Sequence, residues 1–255
     1  MKLFDLKGKV AVITGGNGGI GLGIARGLAA AGASVAIVGR NKKKTVAAAG
    51  YLADFFQSGA LALVADISKP AETDKLVDQV LDRFGRVDIL FNNAGISIRK
   101  PLQDLSLEEW HEVLDVNLTS AFLLSKAVYP ELKRQGGGKI VNIGSMTSIF
   151  GAGFAPAYAT SKGGIVQLTK SLAVAWAADN IQVNAILPGW FETELTQAAR
   201  REVPELYNRV VHRIPTGRWG NTEEIAGTAV WLSSAASNYV TGIAVPVDGG
   251  YSSSL

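Results

Sequence analysis

Seven short apolar runs punctuate the chain: KVAVIT (9–14), SVAIVG (34–39), LALVAD (61–66), VDILFN (87–92), KIVNIG (139–144), IQVNAIL (181–187) and IAVPVD (243–248). Each is apolar at nearly consecutive positions, which predicts a strand buried on both faces. The segments between them carry apolar residues at helical spacing, as in Ile20 to Ala31, Glu72 to Phe84, Ala157 to Ala178 and Thr222 to Ser233. Buried strands alternating with helices predict an α/β fold, a seven-stranded parallel sheet flanked by helices in one doubly wound domain over residues 1–255. No repeat, low-complexity segment or linker divides it. The longest stretch without a strand, about 190–220, is rich in arginine, glutamate and aromatic residues, and is expected to form a lid over a site.

Composition narrows the function. Hydrophobic residues make up 47% and charged residues 18% of 255 positions, enough apolar surface for a substantial core. The net charge of +3, with no basic patch interleaved with aromatics, argues against nucleic acid. The one charge run, Lys42 to Lys44, reads as a solvated helix start. There is no cysteine, which excludes disulfides, thiolate metal sites and cysteine nucleophiles and suits a reducing, cytoplasmic location. With two histidines, His111 and His212, no metal site is expected. No secretory signal and no span of about 18 apolar residues is visible, so no membrane partner is expected.

The first strand runs into TGGNGGIG and then an apolar helix. Gly15, Gly19 and Gly21 allow a tight turn, a close backbone approach and close packing of helix on strand. The helix N-terminus offers N–H groups and a positive dipole end to a phosphate. This is the context of a dinucleotide site. The second strand ends in Gly39-Arg40-Asn41, without the carboxylate that usually binds an NAD ribose. Arg40 is either a surface arginine or the partner of a 2′-phosphate, and the second reading predicts NADP, with NAD as the alternative.

Two Tyr-x-x-x-Lys pairs occur, Tyr129 with Lys133 and Tyr158 with Lys162, so the spacing alone is weak. Thirteen residues before Tyr158 stands Ser145, just past the fifth strand, where sites of parallel sheets form. Tyr129 has Val116 at that offset and a proline after it, and reads as structural. Lys162 lies one helical turn from Tyr158 on the same face. Its ammonium is expected to lower the tyrosine from about 10 by about three units, toward neutrality.

Taken together, TGGNGGIG, Asp66, NNAG (92–95), Asn117 in DVNL, Ser145, YATSK (158–162) and PGWFET (188–193) resemble the short-chain dehydrogenase/reductase family over almost the whole chain. The resemblance implies a Rossmann-like fold and NAD(P)-dependent hydride transfer between a secondary alcohol and a ketone. It implies a catalytic set of Asn117, Ser145, Tyr158 and Lys162, with Asn117 holding a water that links the lysine to solvent; the alternative is that Asn117 only bends its helix. For the cofactor it implies Gly15, Asn17, Gly19, Ile20 and Gly21 in the turn, Arg40, and Asp66 on the adenine with Ile67 beside it. It adds Asn93, Ala94 and Gly95, then Tyr158, Lys162, Pro188, Gly189, and Thr193 on the carboxamide. Phe191 departs from the usual isoleucine or valine. A dimer or homotetramer through helices at about 105–135 and 157–178, with the C-terminal strand region at another interface, is also implied.

The tail, in AVAWAADNIQVNAILPG, RIPTGRWG and VPVDGGY, is similar to sugar-acid dehydrogenases of the family, the gluconate 5-dehydrogenase and 2-deoxygluconate 3-dehydrogenase subgroup. Substrate walls are expected at Ser97, Ile98 and Arg99, at Ile149 to Phe154, and at Trp190. Arg99 either clamps a carboxylate or faces solvent; Ser145, Phe154 and Trp190 complete the expected substrate set. Apolar Ile149, Phe150, Phe154 and Trp190 also suit a hydrophobic ketone. A 3-oxoacyl carrier-protein reductase and a non-catalytic dinucleotide-binding protein are the remaining readings.

Overall fold

The computed structural model describes residues 2–56, 59–203 and 205–254. Among them, β1 Val10–Thr14, β2 Ser34–Gly39, β3 Ala60–Val64, β4 Ile89–Asn92, β5 Gly138–Ile143, β6 Ile181–Pro188 and β7 Ala244–Val247 form one sheet in the order β3-β2-β1-β4-β5-β6-β7. Every pairing is parallel. The strands fall within a few residues of the apolar runs because burial on both faces leaves no polar alternation to mark an edge.

Alternation along each strand divides the core. Ala11 and Ile13 of β1, with Ile89 and Phe91 of β4, pack under α1 (Gly19–Ala30), α2 (Lys42–Phe56) and α9 (Ala226–Ser233). Val10, Val12 and Leu90 point the other way, under α3 (Pro70–Phe84), α5 (Ser120–Arg134) and α6 (Pro156–Trp176). Helix ends carry the expected signals. Pro70 opens α3, and Gly85 closes it at φ 75° with its N–H on the Leu81 carbonyl. Ser106 and Glu109 form a reciprocal cap on α4 (Leu107–Leu114).

Two features depart from the periodicity. Between α4 and α5 the residues Asp115–Thr119 form a wide π-turn, so the run that reads as one long helix is two helices with a change of phase. The stretch after β6 is helical in part, with α7 (Glu194–Glu202) and α8 (Leu206–Val211). It has its own small core of Leu206, Val210, Ile214 and Trp219.

The chain runs from β1 outward to β3, then returns to place β4 on the other side of β1. The strand order reverses there, and a crevice opens at the carboxyl ends of β1 and β4.

Candidate active site

The crevice is a cleft of about 770 Å³. Its floor is the turn after β1. Gly15 (φ 64°) and Gly19 (φ 50°) sit in the left-handed region, where a side chain is strained. A Cβ on Gly21 would collide with the Gly15 carbonyl and the Asn93 amide, so only glycine lets α1 sit this close. Asn17 and Ile20 complete this wall. Thr14 stitches the turn to β4: its Oγ accepts from the N–H groups of Asn93 (2.9 Å) and Ala94 (3.0 Å), and Asn93 Nδ2 donates to the Thr14 carbonyl (2.8 Å).

One end of the cleft carries Arg40, Asn41, Lys44, Asp66 and Ile67; the other carries Gly95, Pro188, Gly189 and Thr193. Of the residues expected to hold a dinucleotide, all but Asn92 of the NNAG motif line this one cavity. Asp66 Oδ1 already accepts from the Ser68 hydroxyl (2.7 Å), which, with the charges of Arg40 and Lys69, holds its carboxyl below the usual range. Asn92 is not on the wall. Its amide donates to Asn142 (2.8 Å) and Ser125 (3.2 Å), bracing the sheet from within.

Three expected catalytic side chains meet at the inner end. Ser145 follows β5 and caps a short turn, Met146–Ser148. Ser148 locks that turn to α6: its Oγ accepts from the Ser145 N–H (3.1 Å) and donates to the Lys162 carbonyl (2.8 Å). Tyr158, in the first turn of α6 after Pro156, lines the same cleft wall as Ser145, whose Oγ accepts from the Thr147 N–H (3.2 Å). Lys162 is 4% exposed. Its Nζ donates to the Ile143 carbonyl (2.7 Å) and lies 5.7 Å from the Tyr158 ring centre.

The electrostatics differ from the expectation. Burial pushes the Tyr158 hydroxyl above its usual value, and the Ser145 side chain offsets part of that rise. Burial lowers Lys162 to about 8. The ammonium is aimed at a carbonyl and is itself desolvated, so the protein's own groups do not acidify the tyrosine.

Asn117 sits in the π-turn, 2% exposed and behind the cleft wall. Its Oδ1 accepts from the Ile96 N–H (2.8 Å), and its Nδ2 donates to the Ile96 carbonyl (2.9 Å) and Ser161 Oγ (3.0 Å). Ser161 in turn donates to the Tyr158 carbonyl (2.7 Å). The side chain therefore ties the loop after β4 to the helix that carries Tyr158. The other pair lies elsewhere: Tyr129 donates to Asp179 (2.8 Å) and stacks on Trp176, while Lys133 pairs with the same aspartate (3.1 Å).

A second cavity of about 480 Å³ adjoins the first and shares Ser145 and Tyr158 with it. Ser97, Arg99, Phe150, Phe154 and Trp190 line it as expected. Ile98 and Ile149 are absent from its wall, and Ile149 is exposed. Arg99 lies over the Phe154 ring (5.3 Å), and Trp190 stacks on Trp219 (5.4 Å). Thr147 and Tyr251 also line it, and sequence patterns did not single them out. Phe191 is 4% exposed: it packs into the core below and also edges the larger cleft. Thr193 pairs with Thr196, and it approaches the glycine turn at Gly19. Among the described residues no group of acidic or histidine side chains is placed to hold a metal. No helix of the described residues is long and apolar enough to cross a membrane.

A doubly wound parallel sheet with a glycine turn at its switch point defines the Rossmann-type dinucleotide-binding class. Residues 15–252 match the family model described as enoyl-(acyl carrier protein) reductase, and the chain belongs to the short-chain dehydrogenase/reductase family. It is 43% identical over 253 residues to a 2-dehydro-3-deoxy-D-gluconate 5-dehydrogenase of Bacillus subtilis, covering 97% of this chain and 96% of the relative. A solved gluconate 5-dehydrogenase from Burkholderia cenocepacia, in complex with NADP and tartrate, superposes with a TM-score of 0.94 at 39% identity, covering 100% and 99% of the two chains. Levodione reductase superposes with a TM-score of 0.93 at 32% identity, covering 98% and 100%.

Proposed function

We propose that the protein is an NADP-preferring oxidoreductase that interconverts a secondary alcohol and a ketone on a small sugar acid. The observation that carries this reading is the meeting of two cavities at Ser145 and Tyr158, one glycine-floored, the other bearing Arg99. The residues present fit the cofactor: left-handed Gly15 and Gly19 admit a pyrophosphate against the backbone, and Arg40, in a β2 terminus (Gly39-Arg40-Asn41) that carries no carboxylate of its own, suits a 2′-phosphate. When bound, the nicotinamide supplies or accepts the hydride.

The chain's own residues do the rest. Ser145 holds the substrate oxygen by a hydrogen bond and fixes it near Tyr158. Tyr158, held protonated at neutral pH by burial, donates its proton to the oxygen in reduction and takes it back in oxidation. Lys162, lowered by burial to about 8, can give up its proton closer to neutrality than Tyr158 can. Asn117 holds loop and helix in place. Arg99 grips the substrate carboxylate, and Phe154 and Trp190 enclose the carbon chain.

We assign the whole of residues 1–255 to one dinucleotide-binding and catalytic domain, with about 190–220 as its lid. A cytoplasmic homotetramer is the matching assembly: Phe122 on α5 and Val174 on α6 are exposed apolar side chains on the two helices expected to pair. The relatives' names, gluconate and deoxygluconate dehydrogenases, support the sugar-acid reading. A second reading, a carbonyl reductase for hydrophobic ketones, is favoured by the aromatic wall of Phe150, Phe154, Trp190 and Tyr251.

The test is NADPH oxidation against 5-ketogluconate and a hydrophobic β-keto ester, with NADH in parallel. Preference for the sugar acid with NADPH is expected. Turnover of the ester alone moves the assignment to the second reading. Stabilisation by NADPH with no turnover of any carbonyl compound overturns both.

A further inference from the structure

A third cavity, of about 270 Å³, lies at the opposite edge of the sheet, where β1, β4, β5 and β6 begin. Lys9, Arg86 and Lys139 stand on its wall with one carboxylate, Asp88. That carboxylate is fully used. It accepts from Lys9 Nζ (3.0 Å), from Arg86 Nε (2.7 Å) and Nη2 (2.6 Å), and from the Val10 N–H (3.0 Å).

Lys139 is different. It heads β5 and is 7% exposed. Its ammonium donates to two neutral oxygens, Asn238 Oδ1 (2.9 Å) and Ser237 Oγ (3.4 Å). Its charge meets Lys9, a like charge, and burial with that repulsion lowers it to about 8. The groups facing it are thus Lys9, with Arg86 and Asp88 beyond, and the neutral side chains of Ser237 and Asn238. Ser233, also on this wall, has a buried hydroxyl without a hydrogen-bond partner among the described residues. A desolvated ammonium with no counter-charge in contact among the described residues, beside a polar cavity whose wall carries three cations to one carboxylate, is the electrostatic complement of an anion.

We propose that this cavity binds a small oxyanion, with Lys139 as its main ligand and Lys9 and Arg86 as flanking charges. The site is separate from the cofactor cleft and uses none of its residues. Binding stabilises the charged form of Lys139, so it draws in a proton at pH above about 8, and affinity falls as pH rises through that value.

The test is calorimetric titration of inorganic phosphate into full-length enzyme saturated with NADPH, so that the cations of the cofactor cleft are engaged. Acetate is run as a second arm. We expect saturable binding of phosphate, with proton uptake at about pH 8.5 seen as a dependence on buffer ionisation heat. Lys139→Met is expected to weaken it by about tenfold or more, and Lys9→Met, at a half-exposed side chain, by about threefold. Binding of phosphate alone assigns the site to tetrahedral oxyanions; equal binding of acetate assigns it to carboxylates as well. Heat that is unchanged in Lys9→Met and Lys139→Met, or no saturable heat in wild type, overturns the proposal. If Lys139→Met fails to fold, Lys9→Met and the buffer dependence decide it alone.

Discussion

The ammonium of Lys44, in the first turn of α2, lies 2.6 Å from Oε2 and 2.8 Å from Oε1 of Glu194, the first residue of α7. The pair joins the Arg40 end of the cleft to the helical segment after β6, and both side chains line the cavity beside Arg40. With side chains 50% and 79% exposed, the pair is weak and open to exchange. A 2′-phosphate is a stronger partner for Lys44 than a solvated carboxylate. Lys44→Met is therefore expected to raise the KM for NADPH about fivefold at low salt and leave that for NADH unchanged. Kinetics with both cofactors at two ionic strengths check this; equal effects on the two would mean that Lys44 acts only through its pairing with α7.

Tyr158→Phe removes the proton donor and keeps the ring. Turnover should fall about 10³-fold while NADPH affinity, read by fluorescence titration, stays within about twofold. Tyr129→Phe breaks the bond to Asp179 and should leave kcat unchanged. Loss of activity in both variants would return the two tyrosines to equal standing.

The pH profiles follow from the raised Tyr158 and the lowered Lys162. Reduction needs Tyr158 protonated, and its pKa is displaced upward, so kcat for reduction should hold through neutral pH and fall only on the alkaline side. Oxidation needs the proton gone, so its rate should climb as pH rises. An oxidation rate that peaks near neutrality would contradict this.

Asn117→Ala cuts three hydrogen bonds between the loop at Ile96, the π-turn and α6. At about 1 kcal/mol each, the expected loss is about 3 kcal/mol in urea unfolding. As a positioning residue it should also lower kcat, by about tenfold, with little change in KM. A stability loss with wild-type kcat would confine Asn117 to the frame.

Arg99→Leu keeps the bulk against Phe154 and removes the charge. The KM for 5-ketogluconate should rise about tenfold to thirtyfold, with no change for an uncharged ketone. Parallel losses on both substrates would show that Arg99 shapes the wall and does not grip the carboxylate.

The sheet was legible because parallel strands covered on both sides leave unbroken apolar runs, and the turn was legible because Gly15 and Gly19 need left-handed backbone. Ser145, Tyr158 and Lys162 were legible as a set because two consecutive elements, β5 and α6, bring them together. Partners distant in sequence were not. Lys44 read as a solvated helix start, and its partner lies 150 residues on. Tyr251 reaches the second cavity from the last turn of the chain. Asn117 was visible as a residue, but its three bonds depend on where the loop at Ile96 lands. The direction of the Tyr158 shift was missed because adjacency to a lysine is local, whereas the burial of Lys162 and partial burial of Tyr158 are properties of the whole fold.

The π-turn at Asp115–Thr119 makes chain length, as well as the identity of Asn117, a guarded quantity in this part of the molecule. Its extra residue sets the rotation of α5 relative to α4, about 100° per residue. That rotation turns Leu124, Val128 and Leu132 onto the sheet while Asn117 still faces Ser161. Asn117 is held to its type by its three hydrogen bonds, but a conservative substitution elsewhere in the turn that keeps the count leaves this alignment standing. Removing one residue, even an innocuous one, would close the helix into a regular spiral and swing the whole apolar stripe of α5 away from the strands it covers. Here the chain tolerates misspelling better than it tolerates a missing letter.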